Sequence, residues 1–106
     1  QSELNPAQTA AALALTVTLH LNIAACGIKS QSWHQVVEHC GLALDLHPGH
    51  AKALLRRGKA HVELGLWTEA QADLAAVEHT EGAVEAREAR KELQKLTKQQ
   101  AAQEAK

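Results

Sequence analysis

Residues 33–67, WHQVVEHCGLALDLHPGHAKALLRRGKAHVELGLW, begin and end on Trp33 and Trp67, the two tryptophans of a chain that has no Phe or Tyr. The two rings stand 34 residues apart, the length of a helix–turn–helix unit that stacks on its own copies into a solenoid. The turn His47-Pro48-Gly49-His50 falls between them and is strong punctuation for the end of one unit. Residue sizes keep the same period. A unit that starts at Val17 has its next copy starting at Ala51 and a third due at Glu85. Ala24 and Gly58 then occupy one position of the first helix, where only a small residue lets a second helix approach. Val36 and Ala70, then Ala43 and Val77, occupy the matching positions of the second helix. Each Trp opens a second helix, where a large ring can plug the wedge between helices.

This pattern resembles the tetratricopeptide repeat, or TPR, an all-α solenoid of helical hairpins. It divides the chain into a lead-in and helix start at 1–16, one unit at 17–50, a second at 51–84, and a C-terminal capping helix at 85–106. Pro48 closes the first unit and Gly82 takes its slot in the second. Composition agrees. Apolar residues make up 45% of 106, mostly Ala and Leu without Phe, Tyr or Met, which favours packed helices over strands. A solenoid also suits so short a chain, because each unit buries its face against a neighbour and not in a common centre. With a net charge of −1, neither a sequence-blind nucleic-acid binder nor a membrane-surface protein is expected. The apolar runs read as shorter than the roughly 20 residues of a spanning helix.

Five helices are expected. The first runs from Pro6 to Ile28, with Leu15, Leu19, Ile23 and Cys26 on one face. A turn at 29–32 offers Ser32 as the N-cap of the second helix, 33–46. The third spans 51–64 and stops at Gly65, and the fourth spans 67–79. The fifth begins at Gly82 or Ala83, is rich in Ala, Glu, Lys, Arg and Gln, and loses its apolar residues after Leu96. A third Trp would fall due at residue 101, which is Ala, so the repeats stop before that point.

Register also selects the functional candidates. Asn22 and Arg56 hold the same position in successive units, and Lys52 lies one helical turn before Arg56. Side chains at one repeat position align along the concave face, so Asn22, Lys52 and Arg56 converge in the groove. Two cations beside an amide make a site for carboxylates, with Arg able to bind in a fork. The plain alternative is a solvated basic turn at a helix start, though cations there oppose the helix dipole.

The runs Leu21-Asn22-Ile23-Ala24-Ala25-Cys26 and Lys52-Ala53-Leu54-Leu55-Arg56-Arg57-Gly58 resemble the second and third TPR units of the large FK506-binding-type immunophilins, over roughly residues 17–80. Those are peptidyl-prolyl isomerases with a C-terminal TPR domain. In that family the groove is a carboxylate clamp for the acidic C-terminal tail of heat-shock chaperones of the 90- and 70-kilodalton classes. The resemblance implies that Asn22 is the clamp's second-repeat amide and that Lys52 and Arg56 are its third-repeat cations. The family's clamp also takes a Lys and an Asn from a first repeat, for which residues 1–16 lack the spacing. Gly27 and His61 stand where the consensus has a large aromatic, which predicts extra space in the groove and an altered side-chain preference.

Other chemistry is not expected. The histidines (His20, His34, His39, His47, His50, His61 and His79) match no zinc spacing. Cys26 and Cys40 read as small buried thiols of a reducing compartment. His39 and Cys40 are helix neighbours that do not face each other, so they make no catalytic pair. The expectation is a cytoplasmic interaction module without catalytic residue, metal or cofactor in this segment. Its partner is then a chaperone C-terminal peptide, not nucleic acid or membrane. The alternative is a TPR scaffold that docks a larger assembly through other surfaces.

Overall fold

The structure is a computed structural model that describes residues 3–80 and 84–104. The expected turn at Gly82 and the first residues expected for the last helix lie outside the described residues. Five helices follow in order: α1 (Pro6–Lys29), α2 (Trp33–Leu46), α3 (Ala51–Glu63), α4 (Trp67–Glu78) and α5 (Val84–Glu104). Consecutive helices pack on each other, and α3 also touches α1 and α5. The fold is therefore the expected one, two helical hairpins of the TPR kind followed by a helix laid against the second.

Local signals explain where the elements begin and end. Pro6 stands at the start of α1 behind an Asn5 capping box: Asn5 Oδ1 accepts from the Gln8 amide at 2.8 Å and the Gln8 side chain accepts from the Asn5 amide at 2.9 Å. Both hairpins turn by the same device. After α3, the amides of Gly65 and Leu66 donate to the carbonyls of Val62 and His61, with Gly65 at φ 74°. After α1, the amides of Gln31 and Ser32 donate to Ile28 and Gly27, with Gln31 at φ 59°. This is the Schellman closure, repeated 34 residues on, with glycine in the left-handed position once and glutamine once. Ser32 does sit at the N-cap of α2, but its side chain makes no capping bond. Its hydroxyl pairs with that of Ser30 at 2.8 Å instead.

The core is two linked clusters. Val17, Leu21, Ala24, Val36, Cys40 and Ala43 fill the first hairpin, and Ala53 and Ala60 of α3 join them. Leu55, Val62, Ala70, Leu74 and Val77 fill the second, with Ala89 and Leu96 of α5. Trp33 and Trp67 are half-buried against their own hairpins, as the sequence led one to expect. Close approach rests on the small positions. A Cβ on Gly58 would lie 2.8 Å from Leu74 Cγ and Cδ2, and Ala24 is fully buried. At the next copy of that position stands Glu92.

Two expectations about α1 need correction. The buried face is Val17, Leu21, Ala24 and Gly27, whereas Leu15 and Leu19 are 60% and 53% exposed and Cys26 is exposed. Ala, Leu, Ile and Val surround this helix, so periodicity alone did not choose a face; the small-residue position did. α1 is also long and apolar enough, by length and composition, to cross a membrane. Thr16, Thr18, His20 and Asn22 interrupt the apolar run without charging it. The exposed stripe has a register meaning. Leu19 and Cys26 correspond to Ala53 and Ala60 one unit later, and those two are fully buried against the preceding hairpin.

Candidate functional site

Asn22, Lys52 and Arg56 line one pocket of about 520 Å³. Its walls are Thr18, Leu21 and Asn22 of α1, the turn residues His47, Gly49 and His50, the start of α3, then Thr80 and Glu85. The three residues chosen by register are thus brought together, two from one unit and one from the other. The reason is geometric: α1 and α3 are the first helices of consecutive hairpins, and residues 34 apart project from equivalent points of a stack.

The three side chains differ in how firmly they are held. Arg56 is half-buried, and its Nη1 donates to the main-chain oxygen of Leu21 at 2.8 Å. That bond spends one of five guanidinium N–H groups and fixes the plane of the rest. Asn22 and Lys52 are exposed, with their polar ends open to a ligand. The pocket also takes in the start of α3. His50 is the N-cap residue but gives no side-chain capping bond, and no acidic residue stands in the first turn. The first amides of α3 therefore lack the usual side-chain acceptor, and the positive end of the helix dipole adds to Lys52 and Arg56. Glu85, from the start of α5, is the acidic member of the lining.

A smaller hollow of about 270 Å³ shares part of this lining. Lys52, Arg56 and Glu85 line it too, together with Ile28, Leu55, Lys59, Val84 and Glu88. Lys59 and Glu88 pair across it at 2.7 Å. The groove thus runs from a cationic end at the 47–50 turn to a mixed end beside α5. Glu85 and Glu88 offset the cations at that end, and Ile28, Leu55 and Val84 make it partly apolar.

Gly27 and His61 do not shape this pocket, contrary to expectation. Gly27 is buried inside the first hairpin, where a Cβ would stand 2.8 Å from Val36 Cγ2. No groove space is opened by it. His61 is buried inside the second hairpin, its Nδ1 3.1 Å from Asp73 Oδ2. Asp73 in turn receives Arg57 Nε and Nη2 at 2.8 Å each. Sequence reading missed this Arg57–Asp73–His61 network. The signal available was an Asp inside an otherwise apolar α4 face, with a cation on the helix before it. Asp73 is 5% exposed, so the network ties α3 to α4 and forces each of the three side chains into one arrangement. Its hydrogen bonds hold the Arg57 guanidinium above its ordinary range, against the opposing pull of burial.

Among the described residues, no group of three or more His, Cys, Asp or Glu side chains is placed to hold a metal ion. His20 and His39 meet across the first hairpin, Nδ1 to Nδ1 at 2.9 Å. Both cysteines are free thiols, but only Cys40 is buried. Burial pushes the Cys40 thiol up to about 11.

No family model matches the chain. Curated proteins do. The chain is 38% identical over 91 residues to the peptidyl-prolyl cis-trans isomerase FKBP42 of Arabidopsis thaliana, covering 86% of the chain and 24% of that protein. To FKBP4 of Homo sapiens, also a peptidyl-prolyl cis-trans isomerase, it is 35% identical over 77 residues, 73% of the chain and 17% of that protein. To the aryl-hydrocarbon-interacting protein-like 1 of Papio cynocephalus it is 38% identical over 79 residues, 74% and 20% respectively. Its relatives are FKBP-type immunophilins and their kin. The chain spans about a quarter or less of the length of these relatives, and the likeness is to that segment alone. With the fold, it supports a protein-interaction role.

Proposed function

We propose that this chain is the peptide-docking TPR module of a co-chaperone, and that its pocket takes the acidic, extended C-terminus of a heat-shock chaperone of the 90- or 70-kilodalton class. One observation carries the reading: Asn22, Lys52 and Arg56 line a single pocket at an uncapped helix start. Lys52 and Arg56 neutralise the terminal and side-chain carboxylates, and Asn22 holds the peptide backbone. The exposed Leu19 and Cys26, at positions that are buried in the next unit, suit a preceding hairpin, and on this reading it contributes the remaining clamp residues. Chaperone tails of this kind are cytoplasmic, and so is the module. Prolyl isomerisation, named for two of the relatives, is assigned to sequence outside these 106 residues.

A peptide ending in Glu-Glu-Val-Asp tests the reading on the intact protein. It is expected to bind, to weaken as salt rises, and to be lost with Lys52→Ala or Arg56→Ala. Unchanged affinity in both variants contradicts the clamp.

The second reading, a scaffold that docks a larger assembly, draws on the exposed apolar stripe of α1. Under it, free chaperone-tail peptide does not displace the natural partner.

A further inference from the structure

The pocket has a second chemical feature that the clamp residues do not use. At the end formed by the 47–50 turn, His47 and His50 pack edge to face with ring centroids 4.7 Å apart, and both line the pocket. His50 is half-buried at the N-cap of α3 without capping it. Its Nδ1 is buried with no hydrogen-bond partner among the described residues. An imidazole so placed is a latent third cation beside Lys52 and Arg56.

The charges around His50 are few. His47 comes from the same turn, Lys52 and Arg56 from α3, and Glu85 from α5. The α1 wall supplies Thr18, Leu21 and Asn22, none of which titrates near neutral pH. Burial first, then His47, Lys52 and Arg56, hold the imidazole below its ordinary range, and Glu85 opposes them. These influences together disfavour the protonated imidazole. A carboxylate brought between Lys52 and Arg56 cancels the repulsion of those cations and adds an attraction of its own.

We propose that His50 is a further binding residue of the pocket, which takes up a proton as an acidic peptide enters and makes binding tighter in mildly acidic solution. The inference rests on the clamp reading and adds to it a charge that appears only with the ligand. Proton uptake on binding requires that affinity rise as pH falls. The peptide's own carboxylates stay ionised above about pH 5.5 and do not mask the effect.

Calorimetric titration of the intact protein with a peptide ending in Glu-Glu-Val-Asp tests this at about pH 6 and pH 7.5, at constant ionic strength. Two buffers of different ionisation enthalpy report the proton directly and need no variant. The expected result is affinity roughly three- to tenfold higher at the lower pH, with net proton uptake, both lost in His50→Gln. His50→Asn, which supplies a good N-cap, is expected to behave the same way and guards against a folding defect. Binding without proton uptake, or an equal pH dependence in both variants, overturns the role of His50 and leaves the clamp standing. Uptake lost in His47→Gln but kept in His50→Gln also overturns it. Binding untouched by Lys52→Ala and Arg56→Ala contradicts the clamp itself.

Discussion

Arg56 reaches from α3 to the main-chain oxygen of Leu21 on α1, Nη1 to O at 2.8 Å, so a residue proposed to bind ligand is also a strut between the two hairpins. Its two roles separate by substitution. Arg56→Ala is expected to lose peptide binding and to cost about 1 kcal/mol of stability, less than a buried charged hydrogen bond because the site is half open. Lys52→Ala, at an exposed position without such a bond, is expected to lose binding with stability unchanged. Urea denaturation of the two variants measures the difference.

The polar network inside the second hairpin predicts a larger loss. Removing the buried carboxylate with Asp73→Ala strands Arg57 and His61, at an expected cost of about 3 kcal/mol. Denaturation midpoints in urea check this, and a loss below about 1 kcal/mol contradicts the structural role given to the network.

Glycines at different places in the helices have opposite expected effects. Gly58→Ala pushes a Cβ to 2.8 Å from the fully buried Leu74 and is expected to destabilise by about 1–2 kcal/mol. Gly41→Ala meets nothing within 4 Å and is expected to stabilise by up to about 1 kcal/mol through helix propensity. Gln31→Gly relieves a left-handed glutamine at φ 59° and is expected to stabilise by about 0.5–1 kcal/mol. Thermal melts of the three variants give the signs.

Gly58 belongs to the part of the fold that was legible in the sequence. The 34-residue spacing of the tryptophans, with Ala24 and Gly58 at the close approach, is a pattern of sizes, and sizes are enough to place helices and register. Register then put Asn22, Lys52 and Arg56 in one pocket. It did not reveal what each hairpin keeps inside. Gly27 and His61 follow a repeat position correctly, yet whether that position faces groove or core depends on the partner helix, and here Val36 and Asp73 claim it. The face of α1 was misread for a related reason: on a helix apolar all round, period 3.6 has nothing to contrast with. His50 could be read as a turn residue and as one of seven histidines, but not as a neighbour of Lys52 and Arg56 in a pocket.

Two titrating groups give the stability a pH profile with opposite limbs. His50 is held below its ordinary range, so the unfolded chain binds the extra proton first, and stability is expected to fall as pH drops through about 6.5. Cys40 is raised to about 11, so the unfolded thiol ionises first. Its contribution is full below about pH 8.5 and is lost as pH rises towards 11. His50→Gln is expected to flatten the acid limb and Cys40→Ala the alkaline one. In native protein at neutral pH, a thiol reagent is expected to label the exposed Cys26 and to reach Cys40 only on unfolding.

The central claim is that an acidic C-terminus lies in the pocket between α1 and α3. Amide chemical-shift mapping during titration with a peptide ending in Glu-Glu-Val-Asp tests it most directly. The account predicts shifts concentrated at Thr18, Asn22, His50, Lys52 and Arg56, and their disappearance when the peptide's terminal carboxylate is amidated. Shifts centred on α2 and α4, or the same shifts with the amidated peptide, would contradict it.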